Sequence, residues 1–270
     1  MNRIHEAFAN TREEGRGALI IYLTGGFPNI EESADFIITA ANSGADIIEV
    51  GVPFSDPIAD GPTIQAAGEQ ALAAGASVKQ VIAMVSEVSR QVAAPLVIMT
   101  CYNPILAYGP DRFAADAVAA GVCGVLIADM PPAESQQWCA SAAGSGLATV
   151  FLLAPTTREE RFAEIIELTT GFVYILSRQG VTGVRDSLPP GLPELVTRVK
   201  QHTDIPVAVG FGISNAEQVA SVCEVADGAI VGSAVVGAIA QQQSPEARLE
   251  AVQTTVSELS KGTEPFLSQK

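Results

Sequence analysis

The sequence predicts an α/β fold, a single (β/α)8 (TIM) barrel with an extra N-terminal helix, spanning residues 1–270. Eight short apolar runs rich in Val, Ile and Leu show little polar alternation, as strands buried on both faces should. Amphipathic segments separate these runs, and eight strand–helix units fit a chain of this length. Because no linker, low-complexity segment or change of composition divides the chain, we expect one domain.

The predicted elements follow in order. Residues 1–15 predict a helix that precedes the first strand and covers the N-terminal end of the barrel. An apolar face repeating at spacings of three and four from Val78 to Val92 predicts a helix before the third strand. Ser77 and Ser214 are predicted N-caps of the helices that follow them. The predicted strands are 18–26, 46–53, 95–102, 124–129, 148–154, 172–177, 206–212 and 228–234.

Two connections are unusually long for a compact α/β domain. One follows the second strand and reads PFSDPIADGPTIQ (53–65), and the other follows the sixth and reads RQGVTGVRDSLPPG (178–191). Long strand-to-helix connections are commonly lids or binding loops, and in a barrel both lie on the C-terminal face, where barrel chemistry occurs. A doubly wound dinucleotide-binding sheet is the weaker alternative, because no GxGxxG motif follows the first strand.

The charge balance restricts the classes of partner. The chain has 15 Lys and Arg against 30 Asp and Glu, which gives a formal net charge of −15. We therefore expect neither nucleic acid nor an anionic membrane surface to be a partner. If the substrate is an anion, neutral backbone donors must hold it, because the overall field repels it.

The sequence predicts no metal site and no membrane span. The four cysteines are widely spaced without a CxxC pair, and the only histidines are His5 and His202, so a zinc site is not expected. The N-terminus has no apolar signal core, and no run approaches the roughly 18 apolar residues of a membrane span. We expect a cytoplasmic protein.

Three carboxylates lie in one stretch, EVGVPFSDPIADGP (49–62). Glu49 ends an apolar strand, where burial would raise its pKa toward neutrality, as a general acid and base requires. Asp60, on the long loop, could fold back over the barrel mouth and accept a hydrogen bond from a substrate N–H. The alternatives are a structural, paired Glu49 and a turn-forming Asp60. Asp56 is interpreted as a turn or contact residue.

Glycines mark a candidate phosphate site. Gly210-Phe211-Gly212 ends the seventh strand, and Gly232-Ser233 ends the eighth and begins a helix. Glycines at these two strand ends let backbone N–H groups approach an anion beside a helix N-terminus, which is the usual phosphate position of a barrel. A tight turn would explain the first motif alone equally well.

Taken together, these motifs resemble the alpha subunit family of tryptophan synthase, over nearly the whole chain. The most specific stretch is IEVGVPFSDPIADGPTIQ at 48–65. The other motifs, in matching order, are YNP (102–104), SRQGVTG (177–183), GFGIS (210–214) and GSA (232–234).

The resemblance implies a lyase of L-tryptophan biosynthesis that cleaves indole-3-glycerol phosphate to indole and glyceraldehyde 3-phosphate, a retro-aldol reaction. It implies that Glu49 is the general acid and base, that Asp60 holds the indole N–H, and that Tyr174 supports the glycerol hydroxyls. The residues it implies for the phosphate site and lid are Thr182, Gly183, Gly212, Gly232 and Ser233. The residues it implies for the indole pocket are Phe211, Tyr22 and Thr100.

The family resemblance also implies a partner. A beta subunit carrying pyridoxal phosphate would complete an alpha2beta2 heterotetramer and receive indole through an internal tunnel, while this chain would need no cofactor of its own. The implied contact residues are Pro53, Asp56, Tyr102, Asn103 and Pro104. Because one loop would carry both Asp60 and part of the interface, we hypothesise that partner binding and lid closure are coupled.

Three alternatives remain at the level of the sequence. A sugar-phosphate isomerase or epimerase would share the phosphate site, but epimerases usually have histidines at strand ends, which are missing here. A non-catalytic regulatory member would be expected to have a broken motif set, which this chain does not. A free-standing lyase that releases indole without a partner has the same chemistry, and the sequence separates it poorly from the subunit.

Overall fold

A computed structural model describes residues 2–57, 60–177, 191–210 and 212–264. The strands in these ranges are β1 (Ala18–Thr24), β2 (Ile47–Gly51), β3 (Leu96–Thr100), β4 (Val122–Ile127), β5 (Ala148–Leu153), β6 (Val173–Leu176), β7 (Val207–Gly210) and β8 (Gly228–Val231). They form a closed barrel in which each strand pairs in parallel with the next and β8 pairs with β1. The barrel and all eight predicted strands are confirmed.

Helices connect the strands on the outside of the barrel. Those in the described ranges are α1 (Arg3–Glu13), α2 (Ile30–Asn42), α3 (Pro62–Ala73), α4 (Val78–Val88), α5 (Tyr102–Tyr108), α6 (Pro110–Ala119), α7 (Gln136–Ser145), α8 (Phe162–Leu168), α9 (Leu192–Lys200), α10 (Ala216–Cys223), α11 (Ser233–Ala240) and α12 (Pro245–Ser260). Single turns of 3-10 helix lie at Pro132–Glu134, Glu159–Arg161 and Lys261–Thr263. Within these ranges no single helix is long and apolar enough to cross a membrane, and α3 with α4 meets those criteria only as a pair bent by 97°.

One predicted N-cap is confirmed and the other is wrong by one residue. Ser77 caps α4, and its hydroxyl accepts from the Gln80 N–H at 3.4 Å. Asn215, not Ser214, caps α10, because the side-chain oxygen of Asn215 accepts from the Gln218 N–H at 2.9 Å. The N–H of Ser214 instead donates to the Gln218 side chain at 2.7 Å.

Helix α4 also ends earlier than its apolar pattern predicts. It stops at Val88, and Val92 lies beyond the helix although it is buried. The chain must turn here toward β3, and Pro95 immediately before the strand disfavours helical geometry at the residue preceding it. The pattern therefore identified a buried side chain correctly but assigned it to the wrong element.

Helix α1 covers the N-terminal end of the barrel, as predicted. Ile4 and Phe8 are buried at 0% and 3% exposure. The Phe8 ring lies 5.8 Å from that of Phe172, just before β6, and a Cβ at Gly228, the first residue of β8, would lie 3.1 Å from Phe8. This end of the barrel is therefore closed by side chains, which leaves the opposite end for the site.

We expect Phe8→Ala to lower the free energy of unfolding by about 3 kcal/mol, because it leaves a cavity beneath the strands. Urea unfolding followed by circular dichroism measures this loss. Leu106→Ala is the matched control, since Leu106 is 54% exposed and should change stability by less than about 0.5 kcal/mol. Equal effects of the two substitutions would contradict the closing role of α1.

Candidate active site

Glu49 is a buried carboxyl near the C-terminal end of β2. It pairs in register with Tyr22 of β1 and Val97 of β3, and it is only 1% exposed. Among the residues that the structure describes, its Oε1 atom has no hydrogen-bond partner. The alternative was a structural Glu49 that pairs with a neighbouring donor. At this oxygen, the described residues give it no support.

Burial changes the acidity of Glu49. Loss of hydration, and secondly the negative charge of Asp60, raise its pKa from an ordinary 4.5 to about 8. At neutral pH the side chain is therefore mostly protonated and able to donate a proton, yet close enough to its pKa to accept one back. This agrees with the sequence-based expectation of a pKa shifted toward neutrality.

Asp60 is held in place by the start of α3. Gly61 is the N-cap of this helix, and Pro62 is its first residue. The side-chain amide of Gln65 donates to the Asp60 carbonyl at 2.9 Å, and the Gln65 N–H donates to the Gly61 carbonyl at 2.9 Å. Partial burial raises the pKa of the Asp60 carboxyl above its ordinary value. The backbone of Asp60 is thus fixed to a rigid helix.

Two adjoining cavities open at the C-terminal end of the barrel and share Tyr22, Asp60 and Met99. The first, which we call the Glu49 cavity, is otherwise lined by strand residues Glu49, Tyr174 and Ile230, and by loop or helix residues Gly61, Ile64, Gly212, Ile213, Gly232 and Ser233. The second, which we call the Thr100 cavity, is otherwise lined by Val52, Phe54, Pro57, Thr100, Cys101 and Ala128. Asp60 therefore lies where the two cavities meet.

Two tyrosines, Tyr22 and Tyr174, line the Glu49 cavity, and each depends on a glycine in the next strand. A Cβ at Gly51 of β2 would overlap the Tyr22 hydroxyl, and a Cβ at Gly210 of β7 would overlap the Tyr174 hydroxyl. Burial is the main cause that raises the pKa of both hydroxyls. The next cause is the negative charge of Asp60 for Tyr22, and that of Glu49 for Tyr174. Both tyrosines are therefore protonated at neutral pH and present hydroxyl groups.

The far end of the Glu49 cavity is built from backbone. Gly212 has a positive φ of 79°, which favours glycine, and Gly232 is the N-cap of α11 with Ser233 as its first residue. N–H groups at the start of a helix lack intrahelical partners and attract anions. Among the described residues that line either cavity there is no Lys or Arg. That this end holds a phosphate stays a prediction from the sequence.

The residues implied as partner contacts lie on the loop after β2 and in the first turn of α5, which follows β3. The Val52 N–H donates to the Met99 carbonyl at 2.8 Å, which joins the loop after β2 to β3. Asp56 and Asn103 are exposed and Tyr102 and Pro104 are half-buried, whereas Pro53 is buried within the chain. The Pro53 side chain is therefore not available at the surface for contact with a partner.

Some predicted residues cannot be placed, and some lining residues were not predicted. Thr182, Gly183 and Phe211 lie outside the described residues. The sequence analysis missed the lining residues Ile64 and Met99 and the Gln65 anchor of Asp60. Met99 could have been predicted from its position beside Thr100, and Gln65 from its position in the first turn of the helix after Gly61. In the described ranges no three or more His, Cys, Asp or Glu side chains are grouped to hold a metal ion.

This chain is similar to proteins of one known family over nearly its whole length. A model of the family described as "Tryptophan synthase alpha chain" matches residues 8–264. The chain belongs to the tryptophan synthase alpha chain family. Among curated members, the chain from Geotalea daltonii is 45% identical over 262 residues, covering 97% of this chain and 99% of that protein. The one from Carboxydothermus hydrogenoformans is 48% identical over 236 residues, covering 87% and 88%.

Solved structures of tryptophan synthase show the same fold. A structure of Mycobacterium tuberculosis tryptophan synthase is 42% identical with a TM-score of 0.91, over 98% of this chain and 99% of that one. A chain from the tryptophan synthase a2b2 complex of Pyrococcus furiosus is 41% identical with a TM-score of 0.84, over 91% and 98%. The resemblance inferred from motifs is confirmed over nearly the whole chain.

We expect Glu49→Gln to remove a pH-dependent loss of stability. Because the folded pKa of about 8 exceeds the ordinary 4.5, the folded state binds the extra proton, and stability falls as pH rises from about 4.5 to about 8. Between about pH 5.5 and about pH 8.5 the wild type should lose on the order of 3 kcal/mol relative to Glu49→Gln. Urea unfolding of both proteins at each pH measures the difference.

The control is Glu69→Gln, because Glu69 is exposed on α3. It should keep the pH dependence of the wild type. If Glu49→Gln and wild type lose stability in parallel over this range, Glu49 is not buried as a protonated acid.

Proposed function

We propose that this chain cleaves indole-3-glycerol phosphate to indole and D-glyceraldehyde 3-phosphate, as the alpha subunit of a tryptophan synthase. The supporting observation is one cavity that combines the buried, protonatable Glu49, the carboxyl of Asp60 and an end lined by backbone without cations. Its family membership is consistent with this carbon–carbon lyase activity. The reaction class is inferred from how these groups match the charges that the cleavage creates.

Glu49 supplies both proton transfers. As an acid it donates its proton to the indole ring carbon that carries the glycerol chain, which places a positive charge on the ring. The resulting carboxylate then removes the proton from the hydroxyl on the adjacent side-chain carbon. The carbon–carbon bond breaks, its electron pair returns to the ring to give neutral indole, and the hydroxyl carbon becomes the aldehyde. Glu49 ends protonated as it began, consistent with a pKa of about 8.

Asp60 stabilises the charge that develops between these steps. Its carboxylate accepts a hydrogen bond from the indole N–H, and it attracts the positive charge that spreads onto this nitrogen after ring protonation. An oriented charge in a dry site contributes several kcal/mol, about 3 for a single donor in comparable sites. The anchoring of Asp60 by Gln65 lowers the cost of reorganisation, because the carboxylate need not be repositioned during reaction.

The substrate phosphate would occupy the end formed by Gly212, Gly232 and Ser233. Backbone dipoles and the α11 N-terminus hold it without a basic side chain, which fits the net charge of −15. Tyr174, whose hydroxyl stays protonated, would contact the glycerol hydroxyls between phosphate and ring. These steps use side chains and backbone alone, so we propose no cofactor for this chain, with pyridoxal phosphate confined to a beta subunit.

The rival isomerase or epimerase activity receives no support from the histidines. His5 lies on α1 at the opposite end of the barrel, where its Nε2 atom is 2.8 Å from the Gly171 carbonyl. His202 follows α9, and its Nε2 atom is 3.4 Å from Glu159. Neither side chain lines the Glu49 cavity.

We expect Glu49→Gln to reduce the rate of indole formation by about 10³-fold, because the amide can neither donate nor accept the transferred proton. Glycerol 3-phosphate should still bind, since the phosphate end is untouched. Asp60→Asn should reduce the rate by about 10²-fold through loss of charge stabilisation. Indole release is followed by absorbance and binding by calorimetry.

Glu69→Gln on the exposed face of α3 is the control and should retain full activity. Substantial turnover by Glu49→Gln would show that another group transfers the proton. A mild effect of Asp60→Asn would favour the turn-forming interpretation of this residue.

We also propose a beta subunit as partner, consistent with the a2b2 complex described for Pyrococcus furiosus. The loop after β2 carries the exposed Asp56 four residues before Asp60, and it begins with a hydrogen bond from Val52 to Met99 of the Glu49 cavity. A partner that binds Asp56 would therefore act on the same segment that carries Asp60. Such coupling distinguishes a channelling subunit from a free-standing lyase.

Adding a beta subunit should raise the rate of indole formation at least about tenfold, as for a coupling free energy of 1.4 kcal/mol or more. Asp56→Ala should diminish this stimulation without changing the basal rate. Asp35→Ala is the control, because Asp35 is exposed on α2, away from this loop. Equal rates with and without the beta subunit would remove the coupling and favour the free-standing lyase.

A further inference from the structure

Gln218 is a buried amide side chain that the proposed reaction does not use. It is the third residue of α10, it is 5% exposed, and it lines neither the Glu49 cavity nor the Thr100 cavity. Its side-chain oxygen accepts two hydrogen bonds from one residue, Ser214, whose backbone N–H donates at 2.7 Å and whose hydroxyl donates at 3.2 Å. Burial of an amide costs free energy unless its polar atoms are paired, and these two bonds offset that cost at the oxygen.

The residue at the same position of helix α4 makes a different contact. Gln80 is the third residue of α4, and its side-chain oxygen accepts from the hydroxyl of the N-cap Ser77 at 3.0 Å. Gln218 instead bonds Ser214, which precedes the N-cap Asn215. A side chain at this position ordinarily reaches back to the N-cap itself. The contact of Gln218 therefore extends one residue beyond the helix, into the segment that follows β7.

That segment forms part of the far end of the Glu49 cavity. Gly212 and Ile213 both line the cavity, and Gly212 has the left-handed φ of 79°. Ile213 is buried at 3% exposure, and Ser214 follows it directly. The backbone that Gln218 holds is therefore only two residues from Gly212. Anchoring of Ser214 to α10 restricts the conformations that the turn at Gly212 can adopt.

We propose that Gln218 is a positioning residue, which fixes the turn at Gly212 for the phosphate group of the substrate. This inference rests on the proposed function, since it assumes that a phosphate occupies this end of the cavity. Backbone N–H groups bind an anion best when they are already held in place, because an unrestrained turn loses conformational entropy on binding. Gln218 provides this restraint from α10 through Ser214.

The test uses Gln218→Met in the full-length chain, because Met has a similar length and volume but no oxygen that could accept from Ser214. The cleavage is run in reverse by condensing indole with glyceraldehyde 3-phosphate, and the KM of each substrate is measured. Only one of these substrates carries a phosphate, so the two KM values separate an effect on the phosphate end from a general loss of structure. Neither KM depends on the fraction of a variant that is folded.

Gln218→Met should raise the KM of glyceraldehyde 3-phosphate about tenfold, which corresponds to about 1.4 kcal/mol, and leave the KM of indole unchanged. The Kd of glycerol 3-phosphate, measured by calorimetry, should rise by the same factor. Ser214→Ala removes only the 3.2 Å bond and should raise the KM of glyceraldehyde 3-phosphate about threefold. Gln80→Met is the matched control at the exposed third residue of α4, and it should change neither KM.

The outcomes separate this inference from the proposed function. An unchanged KM of glyceraldehyde 3-phosphate in Gln218→Met, or an equal rise in the KM of both substrates, would overturn the role of Gln218 and leave the lyase activity in place. If Gln218→Met does not fold, an unchanged KM of glyceraldehyde 3-phosphate in Ser214→Ala overturns that role. If wild type does not condense indole with glyceraldehyde 3-phosphate at all, the proposed function itself fails.

Discussion

The structure depends on the burial of the Glu49 carboxyl, which costs free energy because the group loses its hydration. A charged carboxylate in this position would be strongly destabilising, so the protein holds the group protonated, with a pKa of about 8. The carboxyl stays protonated because the barrel surrounds it on both sides, with Tyr22 of β1 and Val97 of β3 as its neighbours in register. The same burial that lowers stability at alkaline pH creates a group able to give and recover a proton at neutral pH.

The remaining parts of the site follow from how electrostatics must work beside such a group. A lysine or arginine in the cavity would hold Glu49 ionised, and the described lining residues include neither. The far end of the Glu49 cavity is instead formed by Gly212 and by the α11 N-terminus after Gly232, and the proposed phosphate would be held there by backbone dipoles without a mobile cation. Under this proposal an acidic chain would bind an anion locally although its overall charge repels one.

Glycines leave the room that the two tyrosines of the Glu49 cavity occupy. Tyr22 and Tyr174 reach over neighbouring strands because Gly51 and Gly210 have no side chains at the points of overlap. The ring of each tyrosine thereby forms a wall while its hydroxyl stays inside the site. Helix α3, through the amide of Gln65, holds Asp60 against this frame. Rigid elements, rather than the loop alone, thus determine the separation of the two carboxyls.

The sequence by itself determined the barrel, the eight strand positions and the ends at which Glu49, Gly212 and Gly232 lie, because burial on both faces leaves a continuous apolar run that is readable locally. It did not identify the Gln65 anchor of Asp60, Met99 as a wall of both cavities or Asn215 as the α10 cap. Those depend on which atoms approach one another, often from segments far apart in the chain, and side-chain distances of this kind are decided only when the barrel closes.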